Sequence, residues 1–200
     1  MTAKTRLYLI RHGEVEGAEA SRYNGHADVP LTERGKAQYL RIGERLAQAR
    51  ITACYTSDLV RCAWGADMLG ALHEIEPVRE RSLRELDIGV WEGMTWTELM
   101  EKYPVEWQAR LADIVNYRVP RGENLLDLQG RIMPVISGIV ERHRGEEVLV
   151  VAHGGTNRVI LLNAFGAPLS SLFTIEQNYC CLNIIDYYAD GKAMVKLLNG

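Results

Sequence analysis

Short apolar runs alternate along this chain with longer stretches whose apolar positions recur every three or four residues, the pattern of strands followed by helices. Arg6 to Ile10 is a compact run ending at charged residues and Gly13, and it predicts a buried strand. Pro30, Leu31 and Thr32 offer a helix start with Thr32 as N-cap, and Leu40, Gly43, Leu46 and Ala47 follow at helical spacing. Ile51 to Tyr55 reads as a second strand, with Ser57 or Asp58 capping a helix that runs to about Leu72. Glu74 to Val78 reads as a third, shorter strand.

Between Ser82 and Pro120 the periodicity breaks down into short helical pieces such as Thr95 to Lys102, an excursion over the sheet. It returns from Glu123 to Arg144, where Leu125, Leu128, Ile132, Val135, Ile136 and Ile139 mark one face of a long helix. Pro134 inside that helix should bend it, because proline removes a donor and crowds the preceding turn. Glu147 to Ala152 is the clearest buried strand, and Thr156 to Phe165 is a helix apolar nearly all round and therefore buried. Leu182 to Tyr187 and Ala193 to Leu198, joined across Asp190-Gly191, form a terminal hairpin. Helices between strands predict an α/β fold, a three-layer α/β/α sandwich whose mostly parallel sheet gains an antiparallel edge from that hairpin. One domain over residues 1–200 accommodates all of it.

Composition narrows the picture further. Apolar residues at 47% and charged residues at 24% exclude disorder, collagen and coiled coil. Lys+Arg 23 against Asp+Glu 26 gives a net charge of −3, which offers no clustered basic surface for nucleic acid or membrane. The run Leu7 to Ile10 is too short for a signal-peptide core. Cys54, Cys62, Cys180 and Cys181 have neither CxxC nor zinc-like spacing, and are read as reduced thiols of a cytoplasmic protein.

Two strands end in histidine. The first leads to Arg11-His12-Gly13, and Glu147 to Ala152 leads to His153-Gly154, while the strand Ile51 to Tyr55 leads to Ser57 and, one helical turn later, Arg61. Ligands of open parallel sheets lie beyond the carboxyl ends of the strands, so adjacent strands would gather two histidines and two arginines at one point. That set suits phosphoryl transfer to an imidazole. Arginine forks hold phosphoryl oxygens, and the helix N-terminus after Gly154 favours the added charge. Ser57 lacks a Gly-x-Ser-x-Gly setting, and no glycine pattern binds a dinucleotide or forms a P-loop. His26 lies in a Gly-flanked loop open to either a substrate or a surface role, and His73 and His143 read as surface residues. Trp91, Trp96, Tyr103 and Trp107 read more readily as local core than as a pocket wall.

The same residues carry a family resemblance. Arg11-His12-Gly13-Glu14 resembles the signature of the histidine phosphatase superfamily, the phosphoglycerate mutase-like proteins. Arg22-Tyr23-Asn24-Gly25-His26 with Pro30 to Gly35 is similar to its substrate loop and first helix, and Ser57 to Ala63 to its second arginine motif. Leu83 to Gly89 with Trp91-Glu92-Gly93 is similar to its acid-residue motif, Pro120 to Asn124 to the segment before its long helix, and Val151 to Gly155 to its second histidine motif. The six motifs occur in order along nearly the whole chain.

The resemblance implies His12 as a nucleophile that becomes phosphohistidine. It implies Arg11, Arg61, His153 and Gly154 as the phosphate pocket, His153 also as catalytic, Glu85 as proton donor and later base, with Glu14, Asp87 and Glu92 as competing carboxylates for that role, and Arg22, Asn24 and Gly25 as substrate contacts. Flanking arginines should keep His12 neutral. No metal or other cofactor is implied, and the partner is a small phosphorylated metabolite, with a homodimer left open. Two positions depart from the pattern. Ala18 stands where the mutases carry a phosphoryl-contacting asparagine, a role open to Asn24, and Gly65 replaces the threonine usual after the second arginine motif. Within the superfamily the chain most resembles the α-ribazole phosphatases, with a broad-specificity phosphatase, a mutase and a non-catalytic phosphate-binding protein as alternatives.

Overall fold

Six strands form one sheet in the order β3-β2-β4-β1-β5-β6. The computed structural model describes residues 4–200, and the opening Met-Thr-Ala of the N-terminal reading lies outside the described residues. The strands are β1 (Lys4–Arg11), β2 (Ile51–Thr56), β3 (Val78–Arg79), β4 (Glu147–Ala152), β5 (Leu182–Tyr188) and β6 (Ala193–Leu197). β3, β2, β4 and β1 are parallel, and the β5–β6 hairpin adds the antiparallel edge through β1. Among the described residues no helix is long and apolar enough to cross a membrane.

The period-two alternation of the central strands divides the core into two layers. Leu7, Leu9, Val148, Val150 and Ala152 face a cluster built with α5 (Leu125–Arg142) and α6 (Gly154–Phe165). Tyr8, Ile10, Leu149 and Val151 face a second cluster with α1 (Glu33–Leu46) and α2 (Val60–Leu72). Both faces are therefore apolar and covered, as parallel strands require. The excursion holds α3 (Trp96–Lys102) and α4 (Pro104–Ala112). Its aromatic residues form a local core: Trp91 is fully buried and packs against Tyr103, Trp107 and Tyr117, while Trp96 is half exposed.

Thr32 is the N-cap of α1, its hydroxyl accepting from Gly35 N at 2.9 Å. α5 begins with a capping box between Asn124 and Asp127 and runs unbroken through Pro134. Three expectations are corrected. Neither Ser57 nor Asp58 caps α2: Leu59 holds the N-cap position, and Asp28 accepts from Val60 N at 2.7 Å instead. Ser57 and Asp58 are committed to His153 and Arg84. The third strand is only Val78–Arg79, because Glu74 turns into the left-handed region (φ 58°) and Ile75 N donates back to Gly70 O, closing α2. His143 is no surface residue; it sits between Glu146 and the Tyr55 hydroxyl.

Gly65, a poor helix residue on propensity alone, is explained by a close approach. A Cβ there would fall inside the ring of Tyr39, which is fully buried and donates its hydroxyl to Arg61 O at 3.0 Å. Gly65→Ala is therefore expected to lower stability in urea unfolding by about 1–3 kcal/mol, since overpacking exceeds the gain in helix propensity. Gly138, exposed on α5 with open space around it, supplies the control: Gly138→Ala should raise stability by up to about 1 kcal/mol.

Candidate active site

β1 and β4 pair in parallel with Arg11 opposite Ala152, so both strands stop at one level and deliver His12 and His153 side by side. His12 N donates to Ala152 O at 3.0 Å, and the two imidazoles lie edge to face with centroids 5.2 Å apart. β2 ends beside them, Ser57 N donating to Val151 O at 3.1 Å. Register thus converts three separated sequence motifs into one cluster at the carboxyl edge of the sheet.

Hydrogen bonding fixes the tautomer of each ring. A carbonyl can only accept, so His12 Nδ1 donates to Gly13 O at 2.8 Å and Nε2 carries the lone pair. A guanidinium can only donate, so His153 Nδ1 accepts from Arg61 Nε at 3.3 Å and Nε2 donates to Ser57 Oγ at 2.9 Å. Burial, then Arg61, then Arg11 hold His12 well below the ordinary imidazole range. Burial and Arg61 lead the same downward shift at His153, with His12 and Arg11 adding to it. Both rings are neutral near pH 7, chiefly because they are buried and secondarily because of the arginines.

Arg61 is completely buried, and its donors are largely committed to protein. Besides His153, it donates to Ala27 O (2.6 Å), Asn24 O (3.0 Å) and Gly25 O (2.8 Å). These bonds use four of the five N–H groups of a guanidinium. Arg11 is arranged differently. One NH1 proton goes to Gln177 O at 2.6 Å, the guanidinium carbon lies 4.1 Å from the Tyr179 ring centre, and Nε is buried with no partner among the described residues. A buried unsatisfied N–H of a charged group is costly unless an anion completes it.

Glu85 reaches the first turn of α6. Its Oε2 accepts from Gly155 N at 2.8 Å, and Oε1 from Thr156 N at 3.2 Å and Leu86 N at 2.9 Å. This contact explains Gly155, where a Cβ would land on the carboxylate. At Gly154 a Cβ would crowd both Arg11 Nε and Arg158 NH1 at 3.3 Å, so its absence leaves the face of the pocket beside the unpartnered Arg11 nitrogen open.

The structure brings together Arg11, His12, Arg61, Glu85, His153 and Gly154. Asn24 and Gly25 join them through backbone carbonyls that hold Arg61, and not as side-chain contacts. Arg22 is placed elsewhere: it is exposed, donates to Gly93 O and lines a surface groove with Glu98, Glu101 and Lys102. Ala18 lies in a 3-10 turn, Ala18–Ala20.

Several residues escaped the sequence reading. His26 donates from Nε2 to Glu85 O at 3.0 Å, and Glu92 accepts from His26 N and Ala27 N, tying down the loop whose carbonyls grip Arg61. Ser57, placed by its sequence at a strand end and as a candidate helix cap but given no role in the site, is the partner of His153. Tyr179 and Gln177 hold Arg11 from the loop before β5, a region with no motif to announce it.

Known proteins are similar to this chain over nearly its whole length. Residues 7–200 match the model of the histidine phosphatase superfamily, branch 1. The chain is 28% identical to phosphoserine phosphatase 1 of Hydrogenobacter thermophilus, over 96% of this chain and 91% of that protein. It is 30% identical to the probable phosphoglycerate mutase GpmB of Citrobacter koseri, over 91% and 85%. Its fold is similar to the crystal structure of the α-ribazole phosphatase of Shigella flexneri, with a TM-score of 0.89 at 26% identity, covering 98% and 96% of the two chains. With the sheet order, the paired histidines and this match over almost its full length, the chain belongs to the histidine phosphatase superfamily.

Proposed function

We propose that the protein hydrolyses phosphate monoesters in two in-line steps through His12. The observation that carries this reading is the neutral His12 ring, with its Nε2 lone pair free of the Gly13 bond, next to the buried, unpartnered Arg11 Nε. In the first step Nε2 attacks phosphorus and the ester P–O bond breaks. The carboxyl group of Glu85 gives its proton to the departing oxygen. In the second step water attacks the phosphohistidine, Glu85 takes a proton from that water, and the P–N bond breaks to release inorganic phosphate. Arg11 and the charge of Arg61 stabilise the negative charge gathering on the phosphoryl oxygens, while His153, donating to Ser57, holds Arg61 Nε in place. A protein that merely bound phosphate would need neither a free imidazole lone pair nor a carboxylate placed at the same helix terminus.

The substrate we propose is a small phosphorylated metabolite, α-ribazole 5′-phosphate first among them. The motif resemblance and the likeness to the Shigella flexneri enzyme support it. Phosphoserine and phosphoglycerates follow, from the names of the other relatives. Turnover measured across those compounds, sugar phosphates and p-nitrophenyl phosphate should favour α-ribazole 5′-phosphate in kcat/KM. Similar values across the panel would replace this substrate with a broad specificity, and interconversion of phosphoglycerates without phosphate release would indicate a mutase.

Replacing His12 with Ala should reduce kcat by about 10⁴–10⁶-fold, the usual scale for a lost nucleophile. Rapid quenching in alkali, where a phosphoramidate bond survives, should trap label from a phosphorylated substrate on the wild type and none on His12→Ala. The depressed values of His12 and His153 set the pH dependence. Because the folded rings stay neutral as pH falls through 6.5, kcat/KM should show no enzyme break there. The acid-side break should instead follow the substrate's own second ionisation, at about 6. A break near 6.5 that does not move when the substrate's ionisation is changed would contradict a buried, neutral nucleophile.

A further inference from the structure

Arg131 lies on α5, in none of the motifs that mark the site, yet three of its five donors reach the segment that carries Glu85. Nε and one NH2 proton form a fork to the Glu123 carboxylate at 2.7 and 2.9 Å. The two NH1 protons go to Ser82 O and Arg84 O, each at 2.8 Å, and the remaining NH2 proton goes to Glu85 O at 2.6 Å. A guanidinium has five N–H groups, and all five are matched by five acceptors. Three of these are carbonyls within four consecutive residues, so the backbone from Ser82 to Glu85 wraps around one planar cation.

The other ends of this segment are fixed as well. Arg84 O also accepts from Thr156 Oγ1 at 2.9 Å, and Glu85 O from His26 Nε2 at 3.0 Å. Glu123 in turn accepts from Asp87 N at 3.1 Å and donates its own N–H to Asp87 O at 2.8 Å. The Glu85 backbone is thus clamped by α5 while its carboxylate rests on Gly155 and Thr156 of α6. The span between these two anchors decides where the carboxyl lies relative to the groups flanking His153.

We propose that Arg131, oriented by Glu123, is the positioning residue for the Glu85 carboxyl, and that its contribution to the reaction is confined to proton transfer at the leaving oxygen. The proposal rests on the assignment of Glu85 as the acid. Arg131 touches no reacting atom. Lysine keeps the charge but has three donors on a single nitrogen and cannot span three carbonyls and a carboxylate fork. A misplacement of about 1 Å in a catalytic group costs on the order of 10²-fold in rate.

The test compares kcat/KM, which reports the step in which the leaving group departs, for two esters. An alkyl phosphate such as glycerol phosphate needs a proton on its leaving oxygen, whereas the nitrophenolate of p-nitrophenyl phosphate departs without one. Arg131→Lys should lower kcat/KM for the alkyl ester by about 10- to 10²-fold and leave the p-nitrophenyl ester within a few-fold. In a Glu85→Gln background the same substitution should have no further effect on the alkyl ester, because the group it positions is already absent. Glu123→Gln, which loosens the fork without removing the guanidinium, should show the same selectivity in weaker form and serves if Arg131→Lys does not fold. Equal losses on both esters, losses additive with Glu85→Gln, or no loss would overturn the proposal. If Glu85→Gln itself shows no selectivity between the esters, the acid assignment fails first and takes this inference with it.

Discussion

The parallel pairing of β1 with β4 is the constraint on which the site depends. With Arg11 opposite Ala152, the next residue of each strand is a histidine at the same height. A slip of one residue would turn the side chains of one strand to the opposite face and separate the two rings. The alternation of Leu7, Leu9, Val148 and Val150 on one face with Tyr8, Ile10, Leu149 and Val151 on the other prevents that slip, since either displacement would put the wrong set against each layer of helices. The core therefore does more than stabilise the fold. It sets the separation of two imidazoles.

Around that pair the protein uses backbone groups as much as side chains. Arg61 is fixed by three carbonyls of the loop from Asn24 to Ala27, and that loop is fixed in turn by Glu92 through the N–H groups of His26 and Ala27. Glu85 is held at its carbonyl by α5 and at its carboxylate by α6. Tyr39 links α1 to the backbone of Arg61 in α2 through a contact that only a glycine at position 65 permits. Each charged group of the site is thus reached from a different layer, which ties the position of the chemistry to the packing of the whole sheet.

Much of this was legible in the sequence, and the failures have a common cause. Buried strands, the Thr32 cap and the terminal hairpin follow from local patterns and were placed correctly. Arg11, His12, Arg61 and His153 stood out by their side-chain chemistry at or just beyond strand ends, whereas Glu85 entered only through the resemblance of the Leu83 to Gly89 motif. Ser57 was misassigned because a good capping residue and a good histidine partner look alike in sequence. Asn24 and Gly25 act through carbonyls, which every residue possesses, so their side chains gave no guide to the role. Arg131 was invisible for the same reason: three of its five acceptors belong to the main chain. Glu74 broke an otherwise plausible strand because the chain needed a left-handed residue to end α2.

The commitment of Arg61 to the protein has a bearing on turnover. A guanidinium with four of its five protons already bound draws an anion by its field while offering little to grip it. Attraction falls off gently with distance, whereas a bidentate clasp must be undone before a product can leave. In the reaction proposed above, Arg61 would supply the pull and Arg11 most of the hold, so that a cationic pocket would recruit a dianion and still let go of the small, doubly charged ion left at the end of each cycle.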